Sequence, residues 1–124
     1  MREFGELESA IMDTLWRVQR PLVVREIRAS MTYGRAVAYT TVMTVANILH
    51  HKGMLRREKT GRAWRYWPYA SREEHTARVM REVLHDSGNR TVTLLRFVEH
   101  ISDEDMAELH EVLSELRTRR QSAR

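Results

Sequence analysis

The sequence predicts a mainly α-helical chain with one small β-hairpin, built as a basic first module (residues 1–70) and a helical second module (71–124). Three observations predict this. Apolar residues recur at helical spacing through most of the 124 residues. One stretch, 54–67, is strand-like on either side of Thr60-Gly61, as a hairpin requires. Charge is also unevenly spread: residues 1–70 hold 12 Lys/Arg against 6 Asp/Glu, and residues 71–124 hold 9 against 11. Within 20–70 the balance is 10 to 2. Such a module suits a polyanionic partner; a merely solubilising charge is the alternative.

The first element is a helix. Phe4, Leu7, Ile11, Leu15 and Val18 share one stripe, and Glu3, Glu6 and Glu8 gather at its positive end. Pro21 stops it, and Leu22-Val23 reads as a short extended link. A second helix follows to about Met31, with Val24, Ile27 and Met31 inward. Its start, Val23-Val24-Arg25-Glu26, has capping-box spacing but Val where Ser or Thr belongs. Losing such a cap costs about 1 kcal/mol, so tertiary packing must hold this helix start.

After a turn at 32–35, a third helix spans about 39–52, ended by Gly53 as a C′ glycine. It carries two stripes. Val42, Val45, Ala46 and Leu49 face inward; Thr40, Met43, Thr44 and Asn47 are uncharged and short or flexible, fit to lie against a surface. The hairpin then places strands at 54–59 and 62–67 about a Thr60-Gly61 turn. Trp64 and Tyr66 share one face, Arg65 and Trp67 the other. Pro68 closes the second strand, as expected of a sheet edge.

Beyond Ser71 the pattern is helical. Ser71-Arg72-Glu73-Glu74 is a capping box, followed by Val79, Met80, Val83 and Leu84 on one face. Ser87-Gly88-Asn89 breaks the chain. Val92, Leu94, Leu95, Phe97, Val98 and Ile101 form a strongly apolar segment, and Ser102-Asp103-Glu104-Asp105 opens a last helix carrying Met106, Leu109, Leu113 and Leu116. The polar tail from Arg117 is expected to fray. Unpartnered, these stripes would expose too much apolar surface, so the second module is expected to pair with a second copy. The dimer interface would hold Leu95, Phe97, Val98, Met106, Leu109, Leu113 and Leu116. Folding back on the first module is the alternative.

Several classes drop out. Cysteine is absent, which excludes disulfides and thiolate metal sites and fits a cytoplasmic protein. No apolar run approaches a membrane span, and the acidic start is unlike a signal peptide. The six histidines show no metal-ligand spacing, so packing or surface roles are expected and no metal or cofactor. Without a Gly-rich phosphate loop or a linked Ser/His/acid set, no enzyme is expected.

Helix, helix, turn, helix, hairpin is the winged-helix order. The third helix can enter a major groove, and the hairpin can flank it. The expected DNA-binding residues are Tyr39, Thr40, Thr41, Met43, Thr44 and Asn47 on the helix, with Arg62 and Arg65 on the wing. Arg56, Arg57 and Lys59 also sit on the wing, where backbone contacts belong. Each feature has a plainer alternative: a Thr-rich helix start as capping, wing arginines as a solvated edge, and Trp64, Tyr66 and Trp67 as hairpin packing.

Particular runs resemble the BlaI/MecI/CopY family of penicillinase repressors. They are Leu7-Glu8-Ser9-Ala10-Ile11-Met12-Asp13-Thr14-Leu15-Trp16, Val24-Arg25-Glu26-Ile27, Ala38-Tyr39-Thr40-Thr41-Val42-Met43-Thr44-Val45, Leu49, Lys52-Gly53-Met54-Leu55, Gly61-Arg62-Ala63-Trp64-Arg65-Tyr66 and Phe97-Val98-Glu99. The resemblance implies a homodimeric winged-helix repressor of β-lactamase or other cell-envelope genes, acting on a palindromic TACA/TGTA-type operator. It implies DNA contacts at Thr40, Thr41, Met43, Thr44 and Arg62, and relief by proteolysis under a membrane sensor metalloprotease. The chain lacks the cysteine-rich metal motif of the copper-responsive relatives.

Three departures stand out. Val23 replaces the capping hydroxyl, Ile48 stands where relatives often carry Arg, and Arg96 replaces the Asn that precedes the phenylalanine of the relatives' cleavage site. Arg96 and Phe97 are the candidate cleavage site, with the break at 87–90 second. Two other functions are compatible with the pattern: a winged-helix regulator released by direct binding of a small ligand or metal ion, and a winged helix that binds protein.

Overall fold

The computed structural model describes residues 4–123, so Glu3 of the expected acidic helix start lies outside them. The chain divides into two compact units, Met1–Val79 and Met80–Arg124.

The first unit is a winged helix-turn-helix. Helix α1 (Glu6–Val18) buries Ile11, Met12 and Leu15, and buries Thr14 by donating its hydroxyl to Ala10 O at 2.7 Å. Gln19 ends the helix in the left-handed region at φ 59°. Leu22-Val23 is more than a link: it is β1 (Leu22–Val23), paired antiparallel with β3 as Leu22↔Tyr66 and Val23↔Arg65. Helix α2 (Val24–Ser30) follows directly. Val23 has no side-chain acceptor, yet its N–H donates to Glu26 Oε1 at 3.1 Å, so half of the capping box survives. Burial of Val24 and Ile27 supplies the rest.

Helix α3 (Tyr39–His51) presents Val42, Ala46 and Leu49 to the core, and Gly53 takes φ 81° just beyond it. Strands β2 (Leu55–Thr60) and β3 (Ala63–Pro68) form the wing. Its turn is Gly61-Arg62, one residue later than the sequence suggests, because Thr60↔Ala63 is still a paired position. Gly61, at φ 64°, takes the first turn position, where a primed turn needs positive φ. The sheet order β1-β3-β2 makes β3 the central strand, against the edge expected from Pro68. Proline is tolerated because β1 pairs only as far as Tyr66 and Pro68 is the last residue of its strand. Leu55 and Tyr66 close the core from the sheet side.

This unit extends beyond the expected boundary at residue 70. Helix α4 (Arg72–His85) starts on the capping box, with Glu74 N–H donating to Ser71 Oγ at 3.1 Å. Its first turns pack on α1 through His75, which is fully buried. The imidazole stacks on Phe4 at 5.1 Å between centroids, and Nδ1 shares a 2.7 Å hydrogen bond with the Tyr69 hydroxyl. Trp16 Nε1 donates to Ala70 O at 3.0 Å, which fixes the approach to the helix.

The second unit is helical. Gly88 (φ 87°) breaks the chain, and Asn89 caps α5 (Arg90–His100) by accepting from Val92 N–H at 3.0 Å. Ser102 caps α6 (Asp103–Ser122) by accepting from Asp105 N–H at 3.0 Å. Helix α6 runs through the tail expected to fray from Arg117; a one-turn ion pair, Arg119 to Glu115 at 2.6 Å, lies on that last stretch. No described residue of α5 or α6 is buried. Leu95, Phe97 and Val112 are each more than half exposed, and Met106, Leu113 and Leu116 are also exposed. Among the described residues, no helix is long and apolar enough to cross a membrane.

Candidate nucleic-acid interface

Helical steps of about 100° place Thr40, Thr44, Asn47 and His51 opposite the buried line of α3. Met43 and Tyr39 flank them on one side, and Thr41 and Ile48 on the other. The buried line exists because Val42, Ala46 and Leu49 recur every three or four residues against α1, α2 and the sheet. The outer face is exposed because no other element of the unit packs against it. Tyr39, Met43 and Ile48 are exposed by 45%, 43% and 43%. Three large apolar side chains on a short, otherwise polar face are costly to leave in water, and a groove surface would cover them.

The polar groups on this face have defined roles. Thr44 Oγ1 donates to Thr40 O at 2.9 Å, so its hydroxyl lone pairs face outward as acceptors. Asn47 is half-buried, and its Oδ1 accepts from Arg57 Nη1 on β2 at 2.9 Å. Arg57 in turn lies 4.1 Å from the centroid of the Trp64 ring, and Lys59 Nζ lies 5.6 Å from it. Alternation along the strands puts Arg57, Lys59, Trp64 and Tyr66 on one sheet face. Near the base of the wing this face is core, at Leu55 and Tyr66; toward the tip it continues as Arg57, Trp64 and Lys59.

The same alternation separates the two wing arginines singled out in the sequence. Arg62 sits in the exposed turn at the tip. Arg65 is on the opposite face from Trp64, level with Glu58 on β2 and Val23 on β1. The structure thus brings Arg57 to α3, rather than Arg65. Nothing in the sequence signals the Asn47–Arg57 pairing, which joins residues on two different elements.

Charge around the helix-turn-helix is held in place by local bonds. Arg28 Nε donates to Val37 O at 2.8 Å, tying α2 to the segment before α3. Arg17 bonds the Ser30 carbonyl. Lys52 pairs with Glu8 at 2.9 Å, joining the end of α3 to α1. Burial pushes the Glu8 carboxyl up, but the hydrogen bonds from Lys52 and Gly5 N–H, with the Lys52 charge, outweigh it and leave Glu8 below the usual range. Glu26 is lowered by the Val23 N–H bond first, against a small burial effect, and then by Arg20. Arg25, Arg28, Met31, Tyr33 and Arg35 line an open, basic surface beside α2. Arg35 lies over the Tyr33 ring at 5.8 Å. Among the described residues, no three His, Asp or Glu side chains gather as metal ligands.

Comparison with known proteins gives a consistent picture. The penicillinase repressor family model matches residues 4–115. The chain is 37% identical over 119 residues to the transcriptional regulator BlaI from two strains of Mycobacterium tuberculosis, covering 94% of this chain and 86% of that protein. A solved structure of Bordetella bronchiseptica BpsR, whose DNA binding is regulated by 6-hydroxynicotinic acid, aligns over 93% of this chain and 76% of its own. That likeness is slight, with a TM-score of 0.47 and 11% identity.

Proposed function

The chain belongs to the penicillinase repressor family, whose members are transcriptional repressors and not enzymes, and we propose that it works as a homodimer on a palindromic operator. One observation carries the reading: the exposed face of α3 is uncharged and chemically mixed, and the basic wing stands next to it. Thr40, Thr41, Met43, Thr44 and Asn47 read base edges, Tyr39 packs beside them, and Arg62 contacts phosphate. Arg65, on the far face of the wing, joins only if the backbone curves around it.

The dimer forms through the second unit. Its apolar side chains are exposed in the single protomer, and a two-fold partner buries them while presenting two reading helices to two half-sites. By family resemblance the operator is of TACA/TGTA type, the regulated genes serve β-lactamase or the cell envelope, and the repressor acts in the cytoplasm. Relief comes by proteolysis under a membrane sensor protease. Arg96 sits inside α5, where it pairs with Glu99 at 3.1 Å, so cleavage after it requires the helix to open. Arginine is long and charged where relatives have Asn, so the protease differs in side-chain preference.

The test is direct. Purified protein should bind a TACA/TGTA palindrome as a dimer and discriminate against a scrambled duplex. Equal affinity for both would refute the reading. Mass spectrometry of the repressor from induced cells should find it cut; an intact chain on a derepressed operator would favour release by a bound small ligand instead.

A further inference from the structure

Arg57 is on a DNA-flanking wing, yet its contacts are not those of a phosphate clamp. One end donates to Asn47 Oδ1 at 2.9 Å, and the guanidinium carbon lies 4.1 Å from the Trp64 centroid. To reach a phosphate it would give up both a charge-assisted hydrogen bond and a cation–π stack.

The consequence falls on Asn47. A guanidinium has donors only, so the amide atom facing it is the carbonyl oxygen, and this settles which way the amide points. The planar amide then directs its Nδ2 hydrogens away from Arg57. Asn47 lies on the solvent stripe of α3, in line with Thr40 and Thr44. The two-point contact of asparagine with adenine needs both amide atoms: Oδ1 accepting from N6 and Nδ2 donating to N7. Arg57 already occupies one of the two lone pairs of Oδ1 and sets its cationic guanidinium beside the other, which weakens that oxygen as an acceptor for a further N–H.

We propose that Arg57 biases Asn47 toward reading as a donor, so that its position in the half-site favours an acceptor edge, guanine O6/N7 or thymine O4. Adenine and cytosine are disfavoured because their exocyclic amines would meet either the Nδ2 donor or an oxygen already held by a cation. Arg57 is thus a positioning residue that sets base preference without touching a base. The inference rests on the proposed docking of α3 in the major groove.

Selection from duplexes with randomised half-sites, followed by sequencing, tests it. Wild type should prefer guanine or thymine over adenine at one half-site position by about tenfold, within the discrimination a good base contact gives. Asn47→Ala and Asn47→Asp should flatten that position and no other; the aspartate still pairs with Arg57 but has no donor. Arg57→Met frees the amide oxygen and should raise adenine there by about tenfold. A wild-type preference for adenine at the position Asn47→Ala flattens would overturn the proposal. So would an Arg57→Met variant that weakens all duplexes alike with every base preference intact, since Arg57 would then be a phosphate contact. If Arg57→Met fails to fold, Asn47→Asp decides alone: a lost preference supports the proposal and a retained one overturns it. A wild type with no preference at any position refutes the DNA reading itself, and the inference falls with it.

Discussion

Replacing Arg62 by alanine measures how the wing meets DNA. Arg62 occupies the exposed turn at the tip of the hairpin, and no strand pairing or core packing depends on its side chain. Arg35 in the segment before α3 and Lys59 and Arg62 on the wing are exposed, and among the described residues none of them pairs with a carboxylate. Two protomers of the proposed dimer bring about six such cations, and at about −0.9 per neutralised phosphate the slope of log K against log salt is about −5. Raising salt from about 50 to about 200 mM should then weaken operator binding about 10³-fold. Arg62→Ala removes two of the six, so the slope should relax to about −3.6. The ratio of operator to scrambled affinity should stay the same, because phosphates carry no sequence information. Fluorescence anisotropy titrations on both duplexes across that salt range give slope and ratio together. A slope unmoved by the substitution would refute the phosphate assignment. A changed base preference would show that the wing tip reads the minor groove.

Three other outcomes are expected. Leu109→Glu puts a carboxylate on the α6 stripe; an unpaired charge buried at an interface costs several kcal/mol, so sedimentation should show monomers while the first unit keeps its melting transition, and a fully dimeric variant would move the interface elsewhere. Ile27→Ala empties a fully buried position; it should cost about 2–5 kcal/mol and lower the melting temperature by roughly 10 °C or more, and a loss below about 1 kcal/mol would mean the helix-turn-helix core closes around the gap. The lowered Glu8 and Glu26 predict acid sensitivity: their contribution is complete above the unfolded glutamate pKa, about 4.3, and is lost as pH falls through their folded values. Glu8→Gln with Glu26→Gln should therefore flatten the acid limb of melts taken from about pH 7 to about pH 3, modestly because both pairs are partly solvated; an unchanged limb would refute it.

The sequence reveals the parts of this fold that local periodicity encodes. The α1 and α3 stripes, the Gly53 cap and the order of elements follow from spacing, and the structure keeps them. The misplaced features are those decided by partners far away in the chain. A two-residue strand such as Leu22-Val23 has no periodicity of its own and exists only because β3 lies beside it. That same pairing makes β3 central, which Pro68 argues against when read alone. His75 is one of six similar histidines in the sequence, and only the fold shows that Phe4, Trp16 and Tyr69 surround it. At the interface, hydroxyl and amide residues on α3 stand out by composition. Arg57 does not, because its importance comes from a hydrogen bond across elements.

The division into two units shapes how such a repressor can be switched. In the proposed complex α3 meets the bases, while the second reading helix is held near its half-site only through the second unit of the dimer. That tether acts as a raised effective concentration, and losing it can cost about 10²–10⁴ in apparent affinity with every DNA contact intact. No described residue of α5 or α6 is buried within the protomer, and in the proposed dimer the second copy would supply their apolar cover. The two candidate cleavage points then differ in kind. The break around Gly88 is already non-helical, so a protease needs no unwinding to cut there, dimer or not. The bond after Arg96 is held inside α5 and opens only when the helix does, which the proposed interface resists. Cleavage at Arg96 would therefore track the dissociation of the dimer, and cleavage near Gly88 would not. Weakening the interface should speed the first and leave the second unchanged, so the rate of processing in Leu109→Glu, set beside the mass of its fragments, separates the two.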